Sequence, residues 1–295
     1  MLFKLRILAI ILLGTLTNNL FAQDKPNPEK YTAHNKGKFY IFWGGNRENY
    51  TQSDIHFKGA NYDFTVANAI ADDKPMGWHA DYINPGKMTI PQTNFRMGYF
   101  INDHYNISIG VDHMKYVMRQ DQIANVTGYV NLPSGELGTM YNGTYNNTPV
   151  NFIDHYTDYD NGTPFLTFEH TDGLNYVNSE ISRVDDFSKL FGITNTDKIQ
   201  INLTEGVGGG LLYPKTNAKV LGKDRHDDFH VSGYGLAAKI GINITFFKHY
   251  FIQGELKGGY INMNDIRTTA LTDDSASQHF MFTQRIISFG GIFYL

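Results

Sequence analysis

From residue 37 onward the chain is written in stretches of about ten residues in which apolar and polar positions alternate. Eight such stretches recur: GKFYIFWGG (37–45), QTNFRMGYFI (92–101), YNISIGVDHMKYV (105–117), FLTFEHTDGLNYVN (165–178), QINLTEGVGGGLLY (200–213), GYGLAAKIGINITFF (233–247), YFIQGELKGGYINM (250–263) and FMFTQRIISFGGIFYL (280–295). A period of two places successive side chains on opposite faces of a strand. About ten residues is the length a tilted strand needs to cross a bilayer. In the sixth stretch Leu236, Ala238, Ile240, Ile242, Ile244 and Phe246 share one face, and Lys239, Gly241, Asn243 and Thr245 share the other. In the last, Ile287, Phe289, Gly291, Phe293 and Leu295 form the apolar face.

The connections alternate between short and long. Only NDH separates the second and third stretches, and only KH the sixth and seventh, whereas long polar segments follow the first, third, fifth and seventh. Short turns at one end and long loops at the other predict an all-β fold, an eight-stranded antiparallel transmembrane β-barrel with long extracellular loops. Segment 184–198 is a longer periplasmic connection that accommodates a helical turn. The first loop, 46–91, carries Phe57, Tyr62 and Phe64, which predict an ordered cap rather than a loose tether.

Composition sharpens this picture. Tyr (19), Phe (21) and Gly (29) are abundant while mean hydropathy is −0.35, as expected of strands with one face to lipid and one to a polar lumen. A net charge of −4 without a basic stripe argues against nucleic acid as a partner. The absence of Cys excludes disulfides and a lipoprotein anchor. The N-terminus, with Lys4 and Arg6 before an apolar run and Ala22 ahead of Gln23, reads as a cleavable signal peptide. The expected layout is a signal peptide at 1–22, a short periplasmic segment at 23–36 and a barrel at 37–295.

Eight alternating strands ending in an apolar, aromatic-rich C-terminal strand resemble the small eight-stranded outer-membrane barrel superfamily, porin-like in architecture and including outer-membrane protein A. The resemblance implies a Gram-negative bacterial outer-membrane location, insertion by the barrel assembly machinery, and contact with outer-membrane lipids and lipopolysaccharide.

An eight-stranded ring leaves a lumen that side chains fill. Strand parity points Arg96, Asp112, Lys239, Glu255 and Lys257 inward. Buried charges persist when paired, so these five are expected to form an ion network that plugs the lumen. A narrow channel for small solutes would require that plug to be absent.

The stretch FLTFEHTDGLNYVN places His170 and Asp172 on one face with Phe168, Leu174 and Tyr176. Taken as the lipid face, it directs His170 and Asp172 outward, and the same parity directs His113 and Lys115 outward on the adjacent strand. A carboxylate beside an imidazole suits general-base work, and a lysine at headgroup level suits a lipid phosphate. EHTDGLN is also similar to the His-x-Ser-Asn-x-Gly stretch of the outer-membrane lipid A deacylases. There His170 matches the histidine and Asp172 stands where the serine nucleophile falls, so a hydrolase here would activate water directly. A strand bulge turning His170 and Asp172 into the upper lumen is the third arrangement these residues allow.

The loops offer weaker chemistry. Asp154, Asp158, Asp160 and Asn161 present oxygens, and His226, Asp227, Asp228 and His230 present two imidazoles and two carboxylates, neither in a recognised metal spacing. Solvated turns account for both, and no metal or cofactor is expected. The leading functional expectation is a structural or interaction barrel engaging lipopolysaccharide, a surface protein or a small ligand through its loops. A lipid A–modifying hydrolase using His170, Asp172, His113 and Lys115 is the second, and a narrow channel the third.

Overall fold

A computed structural model describes residues 34–75, 77, 79–80, 91–152, 165–223, 225–226 and 228–295. The expected signal peptide and most of the 23–36 segment lie outside the described residues. The chain leads from β1 (Phe39–Tyr50) through β2 (Ser53–Gly59), β3 (Tyr62–Ala69) and the two-residue β4 (Ala71–Asp72) to β5 (Thr93–Phe100) and β6 (Tyr105–Met118). Next come β7 (Ile123–Val130), the short helix α1 (Glu136–Tyr141), β8 (Gly143–Asn151), β9 (Leu166–Asp186), a 3-10 turn (Ser188–Phe191) and β10 (Ile199–Leu212). The strands β11 (Asn217–Val220), β12 (Gly233–Phe246), β13 (Tyr250–Arg267) and β14 (Ser275–Phe293) follow.

Eight of these strands form an antiparallel ring in the order β1–β5–β6–β9–β10–β12–β13–β14. The ring closes where β14 pairs with β1, in register from Phe39↔Phe293 to Tyr50↔Phe282. Each ring strand coincides with one of the eight alternating stretches. Closure leaves no unpaired edge inside the membrane, as a spanning sheet requires. The outer wall carries Ile107, Ile109, Ile181, Leu236, Ile242 and Ile287, all substantially exposed. With a polar inner face opposite them, these side chains form the apolar band of a transmembrane barrel. At its periplasmic rim Phe39 and Tyr99 pack with ring centroids 4.8 Å apart, part of an aromatic girdle.

Four ring strands, β1, β9, β13 and β14, run past the ends that alternation suggested. β9 continues to Asp186 because Glu180 and Ser182 face inward while Ser179, Ile181 and Arg183 face outward. With polar residues on both faces, that stretch has little apolar rhythm to read. The described parts of the long connections form strands too. Ser275–Gln278 of β14 pair with β2, which continues through β3 and β7 to β8, so the same sheet extends beyond the band. The expected cap over 46–91 is the β2–β3 hairpin. β7 meets β3 at Gly128, whose φ of +133° favours glycine; an added Cβ would sit 2.1 Å from the Asp63 carbonyl oxygen. β4 pairs with the top of β6, and β11 with the top of β9.

Candidate functional site

The barrel is filled in layers. At the periplasmic end Tyr40, Phe42, Phe100, Phe251 and Ile292 make an apolar floor. Beside it lies an amide cluster in which Asn202 donates to Asn243 Oδ1 at 3.1 Å and Asn243 donates to Gln253 Oε1 at 2.9 Å.

Above the floor, Arg96, Asp112, Lys239, Glu255 and Lys257 all point inward, as strand parity requires, and they meet. Lys257 Nζ lies 2.6 Å from Asp112 Oδ2 and 2.8 Å from Glu180 Oε1. Lys239 Nζ lies 2.8 Å from Glu180 Oε2 and 2.7 Å from Glu255 Oε1. Arg96 Nη2 lies 3.1 Å from Glu180 Oε1 and 3.7 Å from Asp112 Oδ1, and donates to Asn178 Oδ1 at 2.7 Å. Glu180 therefore joins every cation of the layer, yet it escapes the sequence reading because it lies beyond the stretch that ended at Asn178. Inward parity extended two residues further would have found it. Three cations face three carboxylates, none more than 5 % exposed. A balanced set in which every charge has an opposite partner is the condition under which buried charges are tolerated.

Beyond the band the interior turns apolar. Tyr116, Phe168, Phe280, Phe57, Phe64 and Phe165 belong to one buried cluster that reaches from the upper ring into the extension formed by β2, β3, β7 and β8. His170 sits in it. Its ring centroid is 4.9 Å from that of Phe168 and 5.7 Å from that of Tyr116. His170 Nδ1 is 3.0 Å from Thr216 Oγ1, and the side chain has no exposed surface. Burial pushes this extracellular imidazole down to about 3.

This corrects the outward orientation expected of His170. Phe168, His170, Leu174 and Tyr176 do share a face, but it is the interior face, because β9 has left the membrane by His170 and its apolar side turns away from water. Asp172 parts from them. Thr171, Asp172 and Gly173 stand opposite the single residue Lys115, between the pairs Met114↔Leu174 and Tyr116↔His170. This is a bulge, and it turns Asp172 outward to lie 3.8 Å from Lys215 Nζ. Gly173 holds a φ of +135°, and an added Cβ would lie 2.7 Å from His113 Cε1.

His113 is likewise not a lipid-facing group. It is buried under that bulge, with Nδ1 2.7 Å from Asn175 Oδ1, and Lys115 is half-buried. His170 and Asp172 thus lie on opposite sides of the wall, and the four proposed catalytic side chains do not converge on one exposed patch.

In the loops, His230 Nε2 pairs with Asp265 Oδ2 at 2.8 Å, while Asp227, Asp154, Asp158, Asp160 and Asn161 lie outside the described residues. Among the described residues no group of three or more His, Asp or Glu is arranged to hold a metal ion.

No protein-family model and no curated protein sequence matches the chain. Similarity appears among solved structures. The outer membrane protein OprG from Pseudomonas aeruginosa is 11% identical, with 89% of this chain and 99% of that chain covered at a TM-score of 0.38. Ail, the attachment invasion locus protein of Yersinia pestis, in complex with the heparin analogue sucrose octasulfate, is 8% identical over 88% and 99%, at 0.28. The N-terminal β-barrel domain of Pseudomonas aeruginosa OprF is 7% identical over 88% and 100%, at 0.27. Ring, apolar band and polar lumen define the class of this protein by themselves: an eight-stranded transmembrane β-barrel of the outer-membrane type.

Proposed function

We propose that this is a non-catalytic outer-membrane barrel whose extracellular sheet engages lipopolysaccharide or another surface component. One observation carries the reading: β14 leaves the apolar band and continues as β14–β2–β3–β7–β8 over its own aromatic core. Ordering so many loop residues costs conformational entropy, which a barrel serving only as a wall would have no cause to spend. Lys58, Lys74 and Lys219 are exposed on this outer part, and ammonium groups near a membrane surface attract phosphates. A solute channel fits poorly with a lumen occupied by the floor, the ion layer and the aromatic core. A hydrolase fits poorly with a neutral, buried His170 facing away from Asp172.

The test is native mass spectrometry of the purified barrel with lipopolysaccharide, comparing wild type with the combined Lys58→Glu, Lys74→Glu and Lys219→Glu variant. Binding at least about tenfold weaker is expected, and unchanged binding would overturn the lipopolysaccharide arm. Lipid A from membranes carrying wild type, His170→Ala or no barrel should have one mass; a mass change lost in His170→Ala would make the protein a lipid-modifying enzyme.

A further inference from the structure

Between the ion layer and the aromatic core lies a separate pair of carboxylates with a different environment. Glu48 projects inward from β1, and Gln284 is its register partner on β14, across the seam that closes the ring. Gln284 Nε2 donates to Glu48 Oε1 at 2.9 Å. Asp73, just after β4, accepts the Glu48 backbone N–H at 3.0 Å. Gln92 Nε2 contacts both Glu48 Oε2 and Asp73 Oδ1, so one amide sits between the two carboxyl groups.

Every carboxylate of the ion layer below has a cation within 3 Å, as Asp112, Glu180 and Glu255 each show. Among the described residues Glu48 and Asp73 have none at ion-pair distance. The nearest candidate by register, Lys257 opposite Gln284, is turned to Asp112 and Glu180. Glu48 is 2 % exposed, so water does not compensate it.

A second observation concerns the amides. Gln92 and Gln284 are both fully buried, and the Oε1 atom of each has no hydrogen-bond partner. A buried carbonyl oxygen without a donor is costly. Gln92 has turned its nitrogen toward both carboxyl groups and Gln284 toward Glu48, and each has thereby stranded its oxygen. Rotating the Gln92 amide by half a turn would direct its oxygen between Glu48 and Asp73, and the same rotation of Gln284 would direct its oxygen at the Glu48 carboxyl group.

We propose that Glu48, Asp73, Gln92 and Gln284 form a binding site for a hard divalent cation. Two carboxylates and two amide oxygens supply oxygen donors of the kind Ca²⁺ takes, and the two carboxylate charges match its own. Calcium fits better than magnesium, which sheds water reluctantly and is seldom held by an all-protein cage. Asp73 is partly exposed and gives the ion an entry from the extracellular side. The bound ion would tie β1, β14 and the two ends of segment 73–92 together at the closing seam.

The experiment is thermal unfolding of the full-length barrel, purified in detergent and stripped with EDTA, over a series of Ca²⁺ and Mg²⁺ concentrations. Tm should rise saturably with the logarithm of Ca²⁺ concentration and respond less to Mg²⁺. Glu48→Gln and Asp73→Asn should each abolish the rise, while Glu169→Gln, a carboxylate on the outer wall, should keep it. Gln284→Glu adds a carboxylate to the same shell and should tighten Ca²⁺ binding about tenfold; as a gain of affinity it does not depend on a variant failing to fold. A wild-type Tm that is equal in EDTA and in millimolar Ca²⁺ would overturn the proposal and leave a proton shared between the two carboxyl groups. A Ca²⁺ response that survives Glu48→Gln would overturn it as well.

Discussion

Two regions of one continuous wall are filled in opposite ways. Within the apolar band the interior is ionic and amide-rich, with Arg96, Glu180 and Lys257 inside and Ile109, Ile181 and Ile287 outside. Beyond the band the interior is aromatic, with Tyr116, Phe168 and Phe280 inside and Lys219, Asp172 and Thr171 on the other side. Single strands pass through both regions. On β6, Asn106 and Ser108 point inward near the periplasmic end, and Tyr116 and Met118 point inward near the top. The backbone does not turn over; the surrounding solvent changes. Lipid favours apolar side chains on the outside and leaves the interior to paired polar groups, whereas water reverses both preferences. Alternation therefore identifies two faces of a strand, and only the solvent around it decides which face is inside.

The difference can be broken first from the ionic side. Lys257→Met leaves Asp112 and Glu180 short of a cation and should cost about 3–5 kcal/mol, read by urea unfolding in detergent. Adding Asp112→Asn should return part of that loss, and a double variant no better than the single would refute direct pairing. On the aromatic side, Phe168→Ala should cost about 3 kcal/mol but locally. Hydrogen exchange should quicken in β2, β3 and β7 while amides of β10 and β12 in the band stay protected. Equal acceleration in both places would show that the regions open as one unit.

A finer distinction comes from acid. His170 has a folded pKa of about 3 against an ordinary 6.5, so between those values the unfolded chain holds a proton that the folded chain lacks. Its contribution is fully present above pH 6.5 and is lost as pH falls toward 3, by up to about 1.4 kcal/mol per pH unit. His170→Leu should therefore lose less stability than wild type between pH 7 and pH 5. Parallel losses would mean that the ring is solvated. The smallest effect belongs to the periplasmic rim, where Arg183 and Asp185 pair at 2.6 Å with the arginine half-exposed. Arg183→Gln should change stability by less than about 1 kcal/mol, which urea melts in low and high salt would check.

The ring was legible because lipid imposes one rule on all eight strands: Leu236 through Phe246 and Ile287 through Phe293 repeat the same outward apolar face. The inward direction of Arg96, Asp112, Lys239, Glu255 and Lys257 followed from that rule. Glu180 did not, because Ser179 and Arg183 blur the alternation around it. His170 and Asp172 misled for a deeper reason. Their stretch has good alternation, but its apolar face belongs to a part of β9 already in water. The bulge at Gly173, set by a register slip against β6, has no signature in local pattern. The pairing of β14 with β2 was equally hidden, since long-range partners leave no local trace.

The closing seam also sets a schedule. Glu48 and Gln284 touch although they stand 236 positions apart, and the hairpin of β2 and β3 likewise waits for β14. During synthesis and export the first strand must travel with an open edge until the last one arrives, so the ring cannot be finished piecemeal from the N-terminus. Contacts of such sequence separation make folding slow, and an open edge invites wrong partners in the interval. A chain truncated just before Ser275 would therefore lack both its closure and the anchor of its outer sheet, and should accumulate as aggregate rather than as a seven-stranded barrel.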